Sequence, residues 1–457
     1  MELIALHKRI IGLDVHQAHI TACAIIEEAD GTTRIEQRQF GAFKRDRRAL
    51  AEWAAALRPD QVVMESTGIY WKSPYAALEA AGIRALVVNA RHVKNVPGRK
   101  TDVGDAQWLA TLARAGLLRG SFIPPAMMRE LHLISRQRQK LVSQLASEKN
   151  RLHKVLTDGG IRLGVVVSDL HGQSARAMVK AIIAGRPPHE VLELVSKRLK
   201  ASREELFDAL QGELTASHCF VLDELMRHIE EIEARIARFD ARLLEGLASQ
   251  RNALALLQTL PGVDLIGAAM LLVEIGSDMD AFGSADRLAS WVGICPGNNE
   301  SAGKRKSGRV RKGNLYVRRL LCEFAHAASR TTSVFKSKFQ ALIVRRGHKR
   351  SIVALAHKIL RTIFFMLKRN QHYRDSATDY EALSVQRNAP RWIKALTKFG
   401  FISTVALIRL HKKSTAFGGQ ACAHLAGGFF HVKDYQRPKM DSTQRAGNNA
   451  TVDVNST

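Results

Sequence analysis

The chain has 457 residues, 46% of them hydrophobic, enough for several cored domains and too many for a disordered polyelectrolyte. A net charge of +26 and a pI near 10.2 exclude a neutral solvated surface and imply a polyanionic partner, nucleic acid before an anionic membrane. No apolar run approaches the roughly 18 residues of a spanning helix, MELIALHKRI lacks a signal-peptide core, and the five scattered cysteines form no CxxC pair, so reduced thiols, a cytoplasmic location and no membrane are expected.

In chain order, Arg9–Val15 and His19–Ile26 read as strands, Asp30-Gly31 as a hairpin turn, and Arg34–Phe43 as a third strand through Ile35, Gln37 and Gln39. Asp46–Leu57 has helical spacing through Leu50, Trp53 and Leu57. Gln61–Glu65 is a short buried strand, Ser73–Ala81 a helix ended by Gly82, and Arg84–Val88 a further strand. Thr101 is placed to cap a helix reaching about Ala115, with Asp102 in its first turn. Three strands, helix, strand, helix, strand, helix is the order of a ribonuclease-H-like α/β fold.

That fold carries one acid on the first strand, one at the end of the fourth, and the rest on a later helix. Asp14, Glu65 and the pair Asp102 and Asp105 fall at those places. The pair is three apart, the spacing of one helix side. A carboxylate on a central strand is expensive without a partner. Four gathered carboxylates repel, and hard divalent cations, Mg²⁺ above all, relieve this with all-oxygen ligation. Two such ions can hold a phosphodiester between attacking and leaving oxygens. In so basic a chain, the pattern predicts an enzyme that cuts nucleic acid.

Two long helical stretches follow. The first runs through Leu131, Ile134, Arg138, Leu141, Leu145, Glu148, Leu152 and Val155; the second through Leu222, Leu225, Ile229, Ile232, Ile236, Phe239 and Leu243. The second is a heptad seam, which serves equally for an antiparallel coil within one chain or a coil between subunits. Residues 157–217, with Gly159-Gly160 and Pro187-Pro188, read as a helical insertion at the coil's tip.

Residues from 254 to about 370 read as a third, largely helical unit. Within it, Leu257–Ala268 (LQTLPGVDLIGA) has the pattern of half a helix–hairpin–helix, which offers backbone N–H groups to a phosphate. Next comes the densest basic cluster: Lys304, Arg305, Lys306, Arg309, Arg311 and Lys312, then Arg318 and Arg319, with no acid between Ser301 and Arg319. Glycines at 303, 308 and 313 let its backbone approach a ligand, so phosphate contact is expected. Ser301 lies at its edge; by spacing alone it is a turn or phosphate-contact residue, since a serine is a weak nucleophile unless activated. Arg345, Arg346, His348, Lys349 and Arg350 form a second basic stretch. No P-loop, GxSxG or HExxH occurs, so ATP-driven action is not expected. Met440–Thr457 is polar and reads as a disordered tail.

Gly12-Leu13-Asp14, Met64-Glu65-Ser66-Thr67-Gly68 and Lys100–Ala106 resemble the DEDD-type, RuvC-like transposases of bacterial insertion sequences, with which Piv-type DNA invertases are grouped. Leu260-Pro261-Gly262, Gly293-Ile294-Cys295-Pro296, Glu300-Ser301-Ala302-Gly303, Lys312-Gly313 and Arg318-Arg319 resemble the same family's C-terminal block. The similarity spans residues 9 to about 370 apart from the insertion. It implies a RuvC-like nuclease domain over 1–125, a coiled-coil arm over 126–250, a mainly α transposase domain over 251–372 and an extension over 373–457. It further implies Asp14, Glu65, Asp102 and Asp105 as ligands of two Mg²⁺ ions, and Ser301 as a nucleophile forming a 5′-phosphoserine link to DNA. The implied partners are donor and target DNA, a structured bridge RNA as guide, and further copies of the chain as a dimer or tetramer, at the bacterial nucleoid. The insertion and the extension depart from the family pattern. The rival readings are a RuvC-like, structure-specific endonuclease with water as nucleophile, and a non-catalytic nucleic-acid-binding scaffold. An actin-like ATPase lacks the glycine-rich phosphate turns it would need.

Overall fold

The computed structural model describes residues 5–66, 68–90, 93, 104–195, 199, 201–295, 299–301, 303–307, 310, 312–376 and 378–401, with backbone alone at 299–301 and 304–307. The chain divides into a compact unit over Met1–Glu381 and a second over Ala382–Thr457.

The first unit begins with β1 (Arg9–Val15), β2 (His19–Glu27) and β3 (Thr33–Gly41), an antiparallel meander. Asp30 shapes the second turn by accepting from the Thr32 backbone N–H at 2.9 Å and its hydroxyl at 2.6 Å. Helix α1 (Lys44–Leu57), β4 (Gln61–Glu65), α2 (Lys72–Ala80) and β5 (Ala85–Val88) follow. β4 pairs parallel with both β1 and β5, giving the order β3-β2-β1-β4-β5. This is the expected ribonuclease-H-like sheet, and β1 and β4 have the predicted bounds.

The sheet is covered on both sides because its central strands are apolar on both faces. Ile11, Leu13, Val15 and Met64 pack with Leu50, Trp53 and Leu78 of α1 and α2. Ile10, Val63 and Val88 pack on the opposite face with Ala106, Leu109 and Ala110 of α3 (Asp105–Arg114). Gly12 lies under α3 and allows close contact: a Cβ there would stand 2.1 Å from the Ala106 carbonyl oxygen and 2.6 Å from the Ala110 nitrogen. The Arg114 carbonyl accepts from Leu6 and His7 N–H at 2.8 and 3.2 Å. Helix α3 therefore runs antiparallel to β1, and its amino end lies at the carboxyl end of that strand.

Helix α4 (Ala126–Asp158) leaves this domain and α9 (Ala216–Gly246) returns beside it. Each is about 45–50 Å long at the α-helical rise. Polar contacts fix the antiparallel register: a hydrogen bond between His218 and Asp158, and ion pairs of Lys149 with Glu233 and Arg138 with Asp240. Leu222, Met226, Ile229 and Ile232 of α9 are buried, so the heptad seam is used within the chain. At the tip, α5 (Leu163–Val166), α6 (Gln173–Ile183), α7 (Pro188–Val191) and α8 (Arg203–Ala209) share a core with Leu152, Leu156, Leu222 and Met226. The insertion is a helical cap on the coil, tied down by Arg176 bonded to Glu233.

At the base, α10 (Arg251–Gln258), α11 (Leu265–Ile275), α12 (Ala285–Val292), α13 (Leu315–Ala328), α14 (Val334–Arg346) and α15 (His348–Arg369) form one core with Met128, Leu131, Leu243 and Leu247 of the coil. The hairpin β6 (Asn299–Ser301) and β7 (Lys304–Ser307) lies between α12 and α13 in sequence. The second unit contains most of α16 (Tyr380–Lys398). Residues 402–457, including the expected tail, lie outside the described residues. Among those described, no helix is long and apolar enough to cross a membrane, and Cys23, Cys219, Cys295 and Cys322 are free thiols.

Candidate active site

In the β1–β4 ladder Leu13 faces Met64, so the next residues, Asp14 and Glu65, stand side by side on neighbouring parallel strands. Strand spacing puts their backbones about 5 Å apart. Side-chain alternation puts both on the face of Gly12 and Val63, the face covered by α3. Asp105 is the carboxylate in the first turn of α3, where the helix dipole favours it. Three of the four expected acids are thus carried to one edge of the sheet: two strand ends and a helix start.

The fourth, Asp102, lies outside the described residues, as does Thr101. The helix start differs from expectation. Gly104, with extended backbone at φ −56 and ψ 149, is the N-cap, so the helix begins at Asp105 and Asp102 precedes it. Among the described residues no group of three or more His, Cys, Asp or Glu is positioned to hold a metal ion. The chemistry of the set nevertheless fits one: Asp14, Glu65 and Asp105 offer only hard carboxylate oxygens.

His16 has no role in the sequence reading, yet its Nε2 lies 3.0 Å from Asp14 Oδ2. It sits in the β1–β2 turn, with its ring 5.0 Å from that of His19. A histidine two residues beyond a strand-end aspartate was visible in the sequence; that the turn folds it back was not.

The hairpin places Ser301 opposite Lys304, at the end of β6. Arg309 and Arg311 lie outside the described residues, and of Lys304, Arg305 and Lys306 only the backbone is described. Lys312 and Arg319 are exposed and Arg318 half-buried, at the start of α13. Arg319 joins Gln139, Lys140, Ser143, Leu315 and Tyr316 around a cavity of about 350 Å³ between α13 and the arm. Arg345, Arg346, His348, Lys349 and Arg350 are all exposed.

The Pro261-Gly262 segment joins α10 to α11 as expected of a helical hairpin. Two of its donors are taken: Val263 N–H bonds the Leu260 carbonyl, and Gly267 N–H bonds Asp264 Oδ1 at 2.8 Å. The turn packs on the Phe324 and Ala328 backbone of α13.

Below this surface lies a charge that sequence reasoning missed. Glu274 of α11 is fully buried. Arg136 of α4 binds its carboxylate in bidentate fashion at 2.9 and 3.0 Å, and Asn314 Nδ2 donates to it at 2.7 Å. Burial pushes the Glu274 carboxyl up, but the Arg136 bonds, the charges of His132 and Arg136, and Asn314 outweigh it, leaving a net downward shift. His132 donates from Nε2 to the Val273 carbonyl at 2.9 Å, and burial foremost lowers its pKa.

These shifts set a pH dependence. Unfolded, His132 takes a proton near 6.5; folded, it stays neutral to lower pH, so its contribution is complete above 6.5 and is lost as pH falls through the folded value. Burial shifts His171 and His357 the same way. The depressed Glu274 contribution is complete above 4.5 and is lost on further acidification. Thermal unfolding followed against pH should therefore show a Tm that falls below pH 6.5 and falls again below 4.5. A Tm that rises on acidification from neutrality would contradict these assignments.

Two family models match the chain. Residues 11–160 match the DEDD transposase family model of the IS110 type, and residues 254–340 match the model described as Transposase IS116/IS110/IS902 family. The chain belongs to the IS110 family of insertion-sequence transposases. The first match covers the sheet, its acids and the outgoing arm, and the second covers α11 to α14 with the Ser301 hairpin. The IS110-type chain is 24% identical over 379 residues to the transposase for insertion sequence element IS1111A of Coxiella burnetii, covering 81% of this chain and 92% of that one. It is 26% identical over 327 residues to a probable family 20 transposase of Pseudomonas aeruginosa, covering 70% and 87%. A Thermus thermophilus RuvC structure aligns with 25% of this chain and 99% of its own at 14% identity, with a TM-score of 0.19. This transposase is accordingly an enzyme that acts on DNA.

Proposed function

We propose that this transposase is a Mg²⁺-dependent, RNA-guided recombinase that moves its insertion sequence through a phosphoserine intermediate. The observation that supports it most is the register that sets Asp14 beside Glu65 under the amino end of α3. Asp14, Glu65 and Asp105, with Asp102, would hold two divalent ions. When bound, these ions supply Lewis acidity at the scissile phosphate and offset charge on the leaving oxygen.

Ser301 is the nucleophile in this reading. Its Oγ forms a bond to phosphorus as the P–O3′ bond breaks, leaving a 5′-phosphoserine and a free 3′-hydroxyl. A 3′-hydroxyl of the partner strand reverses the step and releases the serine, so the phosphodiester energy is kept and no ATP is consumed. Lys304, Arg305, Lys306, Arg309, Arg311, Lys312, Arg318 and Arg319 hold backbone phosphates. The acids of one subunit act with the serine of another, which makes the working form a dimer or tetramer. Donor and target DNA are selected by pairing with a structured bridge RNA.

The guide is tested by sequencing RNA that co-purifies with the full chain. A discrete structured transcript from the element's own flank is the expected result; bulk cellular RNA alone would overturn guidance.

A further inference from the structure

The buried Glu274 cluster has a layout that stability does not account for. Buried ion pairs are poor stabilisers, because desolvation offsets much of their attraction, and an apolar replacement is often as stable. What such a pair does supply is direction. Arg136 comes from the arm, Glu274 from α11, and Asn314 from the end of the segment that carries the Ser301 hairpin. Asn314 also caps α13, accepting from Tyr316 and Val317 N–H at 3.0 and 3.2 Å, and its own N–H bonds the Trp291 carbonyl at 3.3 Å. Just before it, Gly313 touches the other end of the same segment: a Cβ there would stand 2.4 Å from the Gly293 nitrogen and the Val292 carbonyl. The hairpin is therefore a loop pinched shut at its base, and one amide ties that base to Glu274. The Arg136 guanidinium also stacks 4.5 Å over the Tyr316 ring, so the arm grips both sides of the cap. At its root the arm also binds the nuclease domain of the same chain, through Arg129 and Glu79.

We infer that Glu274, held by Arg136, is a positioning residue that fixes the Ser301 hairpin relative to the arm through Asn314. This rests on the reading of Ser301 as the nucleophile. It is separable from helix capping, because serine caps as well as asparagine does but cannot reach Glu274.

The test uses the full chain with its nucleic-acid substrates and reads single-turnover formation of the covalent protein–DNA adduct at saturating DNA, alongside DNA affinity and Tm. Asn314→Ser should lower the adduct rate by about 10²-fold, the scale of an ångström misplacement of a reacting group, with affinity and Tm near wild type. Glu274→Gln should slow the reaction similarly. The double variant Asn314→Asp with Glu274→Gln reverses the direction of the hydrogen bond, keeps the cap and the total charge, and should recover most of the rate. Wild-type adduct rates in Asn314→Ser would overturn the inference, as would a loss that follows Tm or affinity and is not rescued by the double variant. Ser301→Ala separates the two readings. Adduct formation without Ser301 sinks the nucleophile reading; no adduct there, beside an unaffected Asn314→Ser, sinks the positioning role alone.

Discussion

Replacing Asp14 by asparagine will abolish strand cleavage while leaving DNA binding nearly intact. The substitution keeps the side chain's size and one oxygen but removes the charge that a hard cation needs. Loss of one carboxylate ligand forfeits several kcal/mol of transition-state stabilisation, or about 10³-fold or more in rate. The strand itself should survive: Asp14 is partly exposed and bonds His16 on the adjoining turn, and Leu13 and Val15 beside it remain in the core. Glu65→Gln should behave alike, since the register makes the two acids neighbours. Cleavage assays with Mg²⁺, paired with binding measured by mobility shift, decide the matter. A variant that cuts at the wild-type rate would remove Asp14 from the chemistry and favour a non-catalytic scaffold.

Replacing Ser301 by alanine will eliminate the covalent intermediate and all strand exchange. An enzyme stripped of its nucleophile loses about 10³-fold or more, leaving only what binding and electrostatics provide. The same variant discriminates the hydrolytic alternative. If water is the nucleophile, Ser301→Ala continues to nick DNA with Mg²⁺, and neither the variant nor the wild type forms protein-linked DNA. Denaturing gels that resolve protein-linked DNA read the difference directly. The β6–β7 hairpin sets the Ser301 backbone opposite that of Lys304.

The nuclease fold was legible because its signals are local. Alternation in Arg9–Val15 and the apolar run Gln61–Glu65 gave both acid-bearing strands their bounds, whereas the parallel register that sets Leu13 against Met64 is seen only in the fold. The heptad pattern of Leu222 to Leu243 identified a coil but not its partner, because an apolar stripe carries no label for intrachain or interchain packing; ion pairs such as Lys149–Glu233 supply it. The start of α3 was misplaced because Thr101 and Gly104 are both acceptable caps, and sequence alone does not rank them. Glu274 escaped notice for a different reason. It is a lone carboxylate in the apolar helix LIGAAMLLVEI, and its partner Arg136 is 138 residues away. Only the fold brings the two together, and with them the Asn314 amide.

The central claim is that Asp14, Glu65 and Asp105 serve one divalent-cation site. Anomalous diffraction from crystals of the DNA-bound protein grown with Mn²⁺ in place of Mg²⁺ tests it most directly. The account predicts manganese within about 2.2 Å of carboxylate oxygens of Asp14 and Glu65, with Asp105 facing the same ion or its neighbour. Manganese bound elsewhere, with these carboxylates turned away from any ion and from the scissile phosphate, would contradict it.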